Sequence, residues 1–458
     1  MNTDQDPIVA IATAPGRGGV GIIRLSGSDT FIKDFLRSFF GSEDSFKPRY
    51  AHYRRFRDQN GEVIDDGLVI YFPSPRSYTG ESAVELQAHG GPVVLKVLLS
   101  AVLRAGKVFG LRLAEPGEFT RRAFLNGRID LSQAEAVADL IDATTEGAVR
   151  AASRSLVGVF SRKIHDISDQ LIELRALIEA ILDFPEEEID FIKSTQARER
   201  LKNICMAFDQ LMHQSQQGAI LRDGVTVVLV GSPNVGKSSL MNVLSGNDVA
   251  IVTEVPGTTR DKIEYDIQIE GVSVRLIDTA GIRETDDKVE SLGIERTLRA
   301  IEKADVVLYL QDLSTDDDAE GRKTLNRVLE RTQKNVPILK VFNKCDIAKP
   351  NGLDRDALVI SAKTGIGIDE LKRKLLDLVG WENNPESLFL ARERHLVALR
   401  EAGSHLLIAE NLVATSEPQL DLLAEELRLA NENLGEIVGI TTPDDILGMI
   451  FSRFCIGK

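Results

Sequence analysis

The sequence predicts a multidomain chain, α/β plus all-α, in which a phosphate-loop α/β module is inserted into a helical bundle that follows an N-terminal α/β domain. Three observations carry this. The 458 residues exceed what one hydrophobic core usually organises, so two to four domains are expected. Hydrophobic periodicity changes near residues 125, 224 and 380, from short alternating runs to helical stripes, then to short buried strands, then back to helical stripes. A glycine-rich loop, "GSPNVGKSS" (231–239), lies between a strand-like and a helix-like run.

Residues 1–120 mix segments such as "GIIRLSG" and "GLVIYF" with Gly/Pro punctuation, the texture of a small α/β or α+β domain. "GRGGVG" (16–21) satisfies G-x-G-x-x-G, but it leads into the strand-like "IIRLSG" rather than a helix, so a dinucleotide reading fails on context. Residues 121–222 read as helical. Ile164, Ile167, Leu171, Leu174, Ile178 and Ile181 recur every three or four positions, as on one face of a bundle helix. Leu201, Ile204, Phe208 and Leu211 repeat the pattern after "FPEEEIDF", where Pro185 interrupts the run. Residues 223–380 alternate strand and helix patterns from "VTVVLV" onward. Residues 381–458 return to helix: Leu423, Leu427, Ala430, Leu434 and Ile437 keep helical spacing, and Thr442, Pro443 and Asp444 open a last short helix. Helices on both sides of the α/β segment predict one helical domain completed by two flanks.

Hydrophobic content of 43% with 27% charged residues is that of a water-soluble globular protein. Net charge of −15 excludes a chain that coats nucleic acid through bulk electrostatics, so any RNA contact has to be local or delegated to a partner. Cys205, Cys345 and Cys455 have no metal-ligand spacing and form no even framework, which points to a reducing compartment. The start "MNTDQDPIVAIA" has no basic n-region, and no run approaches 18 apolar residues. The expectation is a cytoplasmic protein without a signal peptide or membrane span.

The loop at 231–239 satisfies G-x-x-x-x-G-K-[ST] in the required strand, loop, helix context. Its backbone N–H groups, through Asn234, Val235 and Gly236, can wrap phosphates, and the following helix aims its positive end at them. Lys237 would reach the β- and γ-phosphates and Ser238 would ligate Mg²⁺, with Ser239 beside it. "DTAG" ends the strand "VSVRLI": Asp278 would hold the metal through its water shell, Gly281 N–H would sense the γ-phosphate, and Thr279 and Ala280 complete the loop. "NKCD" supplies Asn343, Lys344 and Asp346; the Asp346 carboxylate can accept from N1–H and the 2-amino group of guanine, donors that adenine lacks. "SAK" (Ser361, Ala362, Lys363) would close over the base. "PGTTRD" (256–261) occupies the place of a first switch loop, with Thr259 as second Mg²⁺ ligand. The set predicts a Ras-like GTPase.

One position departs from small GTPases. Ile282 follows "DTAG" where a glutamine would orient the attacking water. Glu284, Glu290 and Glu295 are candidates to replace it; Arg260 and Arg283 are available, but spacing assigns neither as an arginine finger. Asn234 offers a neutral carbonyl oxygen that could hold a monovalent cation where a finger would otherwise reach. The terminus "FCIGK" leaves three readings of Cys455: lipid attachment, stray thiol, or reactive site. A prenylation pattern is met only loosely, because Gly457 and Lys458 stand where an aliphatic and a permitted last residue belong.

Over essentially the whole chain the sequence resembles the MnmE (TrmE) family of tRNA-modification GTPases. The resemblance rests on "APGRGGVGIIRLSG", "SYTGESAVELQAHGGP", "PGEFTRRAFLNGRIDLSQAEAVADLIDA", "DFPEEEIDF", "GSPNVGKSSLMN", "PGTTRD", "DTAGIRE" and "FCIGK", in that order. It implies a folate-binding and dimerising domain over 1–120, a helical domain over 121–222 and 381–458, and an inserted G domain over 223–380. It implies a tetrahydrofolate derivative, 5-formyl or methylene, held by Arg24, Glu85, Arg128 and Lys458, with Cys455 in the modification site. It further implies K⁺ on Asn234, Thr253, Val255 and Thr258, with Thr253 and Thr258 also in the nucleotide site, and G domains that dimerise across their nucleotide faces. Glu290 matches the acid that positions the attacking water. The implied reaction adds an aminomethyl or carboxymethylaminomethyl group at C5 of wobble uridine (U34), with homodimers working beside an FAD-dependent MnmG partner. Two rivals are an assembly GTPase, which would need a basic RNA module that the acidic flanks do not supply, and a membrane regulator anchored at Cys455.

Overall fold

The computed structural model describes residues 6–41, 45–183, 196–246, 264–278, 301–315, 318–332, 336–348, 357–382, 388–415, 419–440, 444–452, 454, 455 and 457. In chain order the first part gives β1 (Ile8–Ile11), β2 (Gly18–Gly27), α1 (Asp29–Phe40), β3 (His52–Arg57), β4 (Val63–Phe72), β5 (Ser82–Gly90), α2 (Pro92–Gly106), β6 (Arg112–Leu113), α3 (Glu118–Leu125) and α4 (Leu131–Asp142). Three helices follow: α5 (Glu146–Leu156), α6 (Val159–Asp183) and α7 (Gln196–Asp223). Next come β7 (Val225–Val230), α8 (Lys237–Ser245), β8 (Glu264–Ile269), β9 (Val272–Asp278), β10 (Val306–Asp312), α9 (Ala319–Leu329), β11 (Ile338–Asn343), β12 (Leu358–Val359) and α10 (Ile368–Leu378). The chain closes with α11 (Glu393–Ala414), α12 (Leu420–Val438) and α13 (Asp444–Ser452).

These elements form two compact units, Met1–Ala138 with Asn431–Lys458, and Asp139–Ala430. In the first, a six-stranded sheet has the order β3-β4-β5-β2-β1-β6, antiparallel except for β1 with β6. Alternation decides its two faces. Ile23 and Leu25 of β2, Val84 and Leu86 of β5 and Val69 of β4 are buried on one face under α1 and α2, against Phe31, Ile32, Phe35, Leu95 and Leu98. Each such side chain stabilises the layer by roughly 1.5–3 kcal/mol. Arg24 and Glu85, directly opposite each other in the β2–β5 register, project from the other face.

The C-terminal segment belongs to this first unit. Ile450, Phe451 and Phe454 form a small core with Leu131 and Ala134 of α4, with Phe124 packed against it. Two glycines let the tail approach. A Cβ on Gly117, where φ is +66°, would sit 2.5 Å from the Phe451 carbonyl oxygen, and a Cβ on Gly457, at φ +100°, would sit 2.3 Å from that of Ile11.

In the second unit, the stripes on α6 and α7 are buried as their period predicts, with Ile164, Ile167, Leu171, Leu174 and Ile178 facing inward along α6 and Ile181, near its end, only half-buried. The sheet here has the order β12-β11-β10-β7-β9-β8, parallel except for β8 with β9. Strand order reverses at β7, and open α/β sheets bind ligands outside the carboxyl ends of the strands at such a switch point. The glycine-rich loop leaves β7 there. Among the described residues, no helix is long and apolar enough to cross a membrane.

Candidate functional site

The loop after β7 is shaped by backbone conformation before any ligand is considered. Asn234 adopts φ +62° and Gly236 φ +102°, and a Cβ on Gly236 would lie 2.3 Å from Nδ2 of Asn343. Left-handed backbone of this kind can direct successive N–H groups into one concavity, and α8 begins at Lys237 with no side-chain cap on its first turn. The buried Lys237 arches back, its Nζ donating to the carbonyls of Gly231 (2.6 Å) and Ser232 (2.9 Å). Burial lowers the Lys237 pKa from its usual value, against the pull of Asp278, Asp318 and Glu320. A desolvated ammonium beside uncapped amides favours a polyphosphate. Ser238 and Ser239 are exposed at the start of α8, and Asp278 ends β9 opposite Leu229, two residues before the loop. A hydroxyl and a carboxylate are hard oxygen donors of the kind Mg²⁺ takes. The exposed Asn234 amide offers a further neutral oxygen.

The base side is braced by Asn343. Its buried side chain donates through Nδ2 to the Val235 carbonyl (2.8 Å) and accepts through Oδ1 from Ala362 N–H (2.9 Å). One amide thereby ties the phosphate loop to the "SAK" turn. Ser361 Oγ donates to Asp346 Oδ1 (2.7 Å) and accepts from Thr364 N–H (3.2 Å), which aims the exposed Asp346 carboxylate. Lys344, at φ +71°, pairs with Asp312, and Lys363 is exposed. Burial pushes the Asp312 carboxyl up, but hydrogen bonds from Lys344 and Ser314 outweigh it and hold the group below its usual value. Asp318, not singled out from the sequence, accepts from Ser232 Oγ inside the loop and from Tyr309 OH (2.6 Å) while capping α9 through Gly321 N–H. Its place at the start of a helix, three residues before a glycine, was the only sequence signal.

Thr253, Val255, Thr258, Thr259, Thr279, Ala280, Gly281 and Glu290 lie outside the described residues, as do Arg260, Ile282, Arg283, Glu284, Glu295 and Lys458.

A second constellation occupies the polar face of the N-terminal sheet. Arg24 Nε and Nη2 both donate to Glu85 Oε1 (3.0 and 2.9 Å), and the guanidinium lies 5.7 Å from the Tyr78 ring centroid and 5.9 Å from that of Phe119. Among the described residues Glu85 Oε2 accepts nothing, so one carboxylate oxygen stays available to an amino-pyrimidinone edge such as a pterin presents. Arg24 Nη1 also reaches the Gly457 carbonyl (3.4 Å), and Gly117 N–H reaches that of Cys455 (3.4 Å), a residue that is itself exposed. Arg128 is exposed, but its stem covers the loop carrying Tyr78: a Cβ on Gly80 would sit 3.1 Å from Arg128 Cγ. Beneath lies a buried charge lattice that the sequence did not reveal. Arg122 donates to Glu118 (2.8 Å), to Glu81 (3.1 Å) and to the Asp6 carbonyl (2.6 Å), Arg112 also grips Glu118 (2.8 Å), and Glu81 accepts from Ser26 Oγ (2.7 Å).

A phosphate loop running into a helix without a side-chain cap, at the switch point of a mostly parallel sheet and bridged by one asparagine to the turn whose serine holds Asp346, is the arrangement of the G-domain class of GTPases. The sequence comparisons extend to the whole chain. Residues 7–128 match the model of the GTP-binding protein TrmE N-terminus, and residues 131–455 that of the MnmE helical domain. The chain is 55% identical over 453 residues to the tRNA modification GTPase MnmE of Bordetella parapertussis, covering 99% of each. It is 52% identical over 473 residues to that of Herminiimonas arsenicoxydans, covering 100% of each. Among solved structures it is similar to the G domain of the T. maritima FeoB iron transporter, 30% identical over 34% of this chain and 98% of that one, at a TM-score of 0.26. The chain belongs to the MnmE family of tRNA modification GTPases.

Proposed function

We propose that this protein hydrolyses GTP and, with an FAD-dependent MnmG partner, installs an aminomethyl or carboxymethylaminomethyl group at C5 of U34 in certain tRNAs. In this reading 1–120 holds a folate donor and dimerises the chain, 223–380 is a G domain inserted between helical segments 121–222 and 381–458, and the complex works in the cytoplasm. The observation that carries it is the tail docked beside the Arg24–Glu85 pair. Arg24, which holds Glu85, also donates to the carbonyl of Gly457, 433 residues on and two residues from the exposed Cys455.

The protein's own groups divide the work. Lys237 and the uncapped amides of α8 neutralise polyphosphate charge, Ser238 with Thr259 would ligate Mg²⁺, and Asp278 would hold its water shell. Asn234 with the oxygens of Thr253, Val255 and Thr258 would hold K⁺, whose charge would substitute for an arginine finger as G domains pair. Glu290 orients the water. Asp346, steadied by Ser361, selects guanine. On the N-terminal face Glu85 would bind the pterin edge, and Arg24, Arg128 and Lys458 suit the folate carboxylates. A bound tetrahydrofolate derivative supplies the one-carbon unit.

Nucleoside analysis of tRNA from cells lacking the protein tests this: the C5 side chain on wobble uridine should be lost, and restored by the wild-type gene. An unchanged nucleoside profile would overturn the reading.

A further inference from the structure

The edge strand β3 and the turn leading into it read "KPRYAHYRRFR" (47–57), eleven residues with five Lys or Arg and no carboxylate, in a chain of net charge −15. Arg55 is neutralised by Asp66 (2.8 Å). Arg54 donates to the Tyr53 carbonyl (2.9 Å), and the remaining three meet neutral groups among the described residues. Arg49 donates to the Arg76 carbonyl, which brings two guanidinium-bearing residues together, Arg57 donates to the Gly61 carbonyl (2.7 Å), and Lys47 lies 5.8 Å from the Tyr50 ring centroid. Tyr50 and Tyr53 are 56% and 65% exposed. Register gives this edge a direction: Tyr53 opposes Leu68, Leu68 opposes Gln87, and Gln87 opposes Ile22, two residues from Arg24 on β2. Tyr53 and Arg24 therefore share a sheet face, three strand spacings and two residues apart, or about 16 Å.

We propose that this edge is an RNA-binding surface, in which Arg49, Arg57 and Arg76 contact phosphates and Tyr50 and Tyr53 stack on unpaired bases. Clustered arginines with interleaved tyrosines suit single-stranded RNA, whose phosphates need cations and whose bases need aromatic faces. The same arginines disfavour pairing of this edge with another strand. RNA bound here could run across the open face toward Arg24 and the docked tail within a few nucleotides. The inference rests on the tRNA-modification reading above and adds where the RNA would be held.

The test measures tRNA binding by the full-length chain by fluorescence anisotropy across a salt series. Replacing Arg49, Arg57 and Arg76 together by Ala should reduce the slope of log K against log salt by about 2, at roughly 0.7 per lost phosphate contact. Tyr53→Ala should weaken binding at least about fivefold with the slope unchanged. Lysine at the three arginine positions should restore the slope, which separates charge from folding, while Lys323→Ala with Arg327→Ala on exposed α9 should change neither quantity. A wild-type slope in the triple variant overturns the proposal. So does a wild-type chain that fails to bind tRNA, or a triple variant altered only in self-association. The deletion-strain nucleoside profile is independent of all these results and separately decides whether the enzyme modifies tRNA.

Discussion

Gly457→Ala is the sharpest perturbation of the composite N-terminal site. At φ +100° an L-residue costs about 1–2 kcal/mol, since Cβ crowds its own backbone there. The new Cβ would also stand 2.3 Å from the Ile11 oxygen and 3.0 Å from Ala12 Cα. Ile11 ends β1, where it pairs with Ile23 of β2, and β6 holds the strand two residues back at Val9, so the carbonyl has little room to retreat and the tail must move by about an ångström. With a small further term for the Arg24–Gly457 hydrogen bond, the docked tail loses roughly 2–4 kcal/mol, or about 30- to 1000-fold in population. Phe451 and Phe454, buried upstream, anchor the last helix regardless. The variant should therefore keep its melting temperature and GTP turnover while C5 modification of tRNA falls at least about tenfold and carboxypeptidase removes the tail faster. Wild-type modification together with wild-type folate binding would refute the assignment of the docked terminus to the modification site.

Four further outcomes are expected. Asn343→Ala strips partners from a buried carbonyl and a buried N–H, which costs about 1–3 kcal/mol in loop order, so calorimetry should find GDP binding weaker by about 5- to 150-fold. For Glu118, burial pushes the carboxyl up, but hydrogen bonds from Arg112, the Glu115 amide and Arg122 win and hold it below its usual 4.5. Its stabilising effect is thus complete above pH 4.5 and fades as pH falls through the lower folded value; urea melts of Glu118→Gln should lose that acid dependence and about 3 kcal/mol at neutral pH. GTP turnover should rise in KCl over NaCl at equal ionic strength, and Asn234→Ala should abolish the preference. Glu290→Ala should slow hydrolysis with nucleotide affinity nearly intact, as expected of a group that acts in the transition state; a large affinity loss would make it structural.

Legibility in the sequence followed the range of the interaction. The phosphate loop could be read because strand, glycine turn and helix are contiguous, and the α6 stripe because its period is local. Asp346 was assigned from its chemistry, but the Ser361 hydroxyl that aims it comes from another strand end, 15 residues on. Asn343 stood in a recognised motif, yet its grip on Val235 spans 108 residues and no spacing announces it. Arg24 and Glu85 look singly like surface charges; only the β2–β5 register makes them a pair. The lattice around Glu118 is hidden in the sequence for a related reason. Nothing in "PGEFTRRAF" marks its charges as internal, and it is folding that buries Arg122 and Glu118 and forces their mutual satisfaction.

The inserted module is not hung on slack tethers, and this bears on how a nucleotide could matter to the rest of the chain. α7 delivers the chain into β7, and residues 388–392 return it to α11. Asp139, buried on α4, accepts from Arg222 on the inbound side (2.9 Å) and from Arg392 on the outbound side (2.7 Å) through the same oxygen. Ser155 on α5 clasps Leu390 from N–H to Oγ (2.9 Å), and Gln217 on α7 accepts from Glu382 N–H (2.8 Å). Ala151, Ala152 and Leu221 belong to the same apolar core as Val225, Ile269 and Val272, so helix and sheet share one packed interior. The turn between β8 and β9, whose strands connect the two loops expected to sense the γ-phosphate, seats Gly271 against Gly147 of α5. A close-packed interior does not absorb a shifted strand by yielding a little everywhere; it transmits the displacement to what it touches. The sheet that contains β9 is thus joined to α5 and α7 by contiguous packing, and Asp139 ties the inbound and outbound segments to each other.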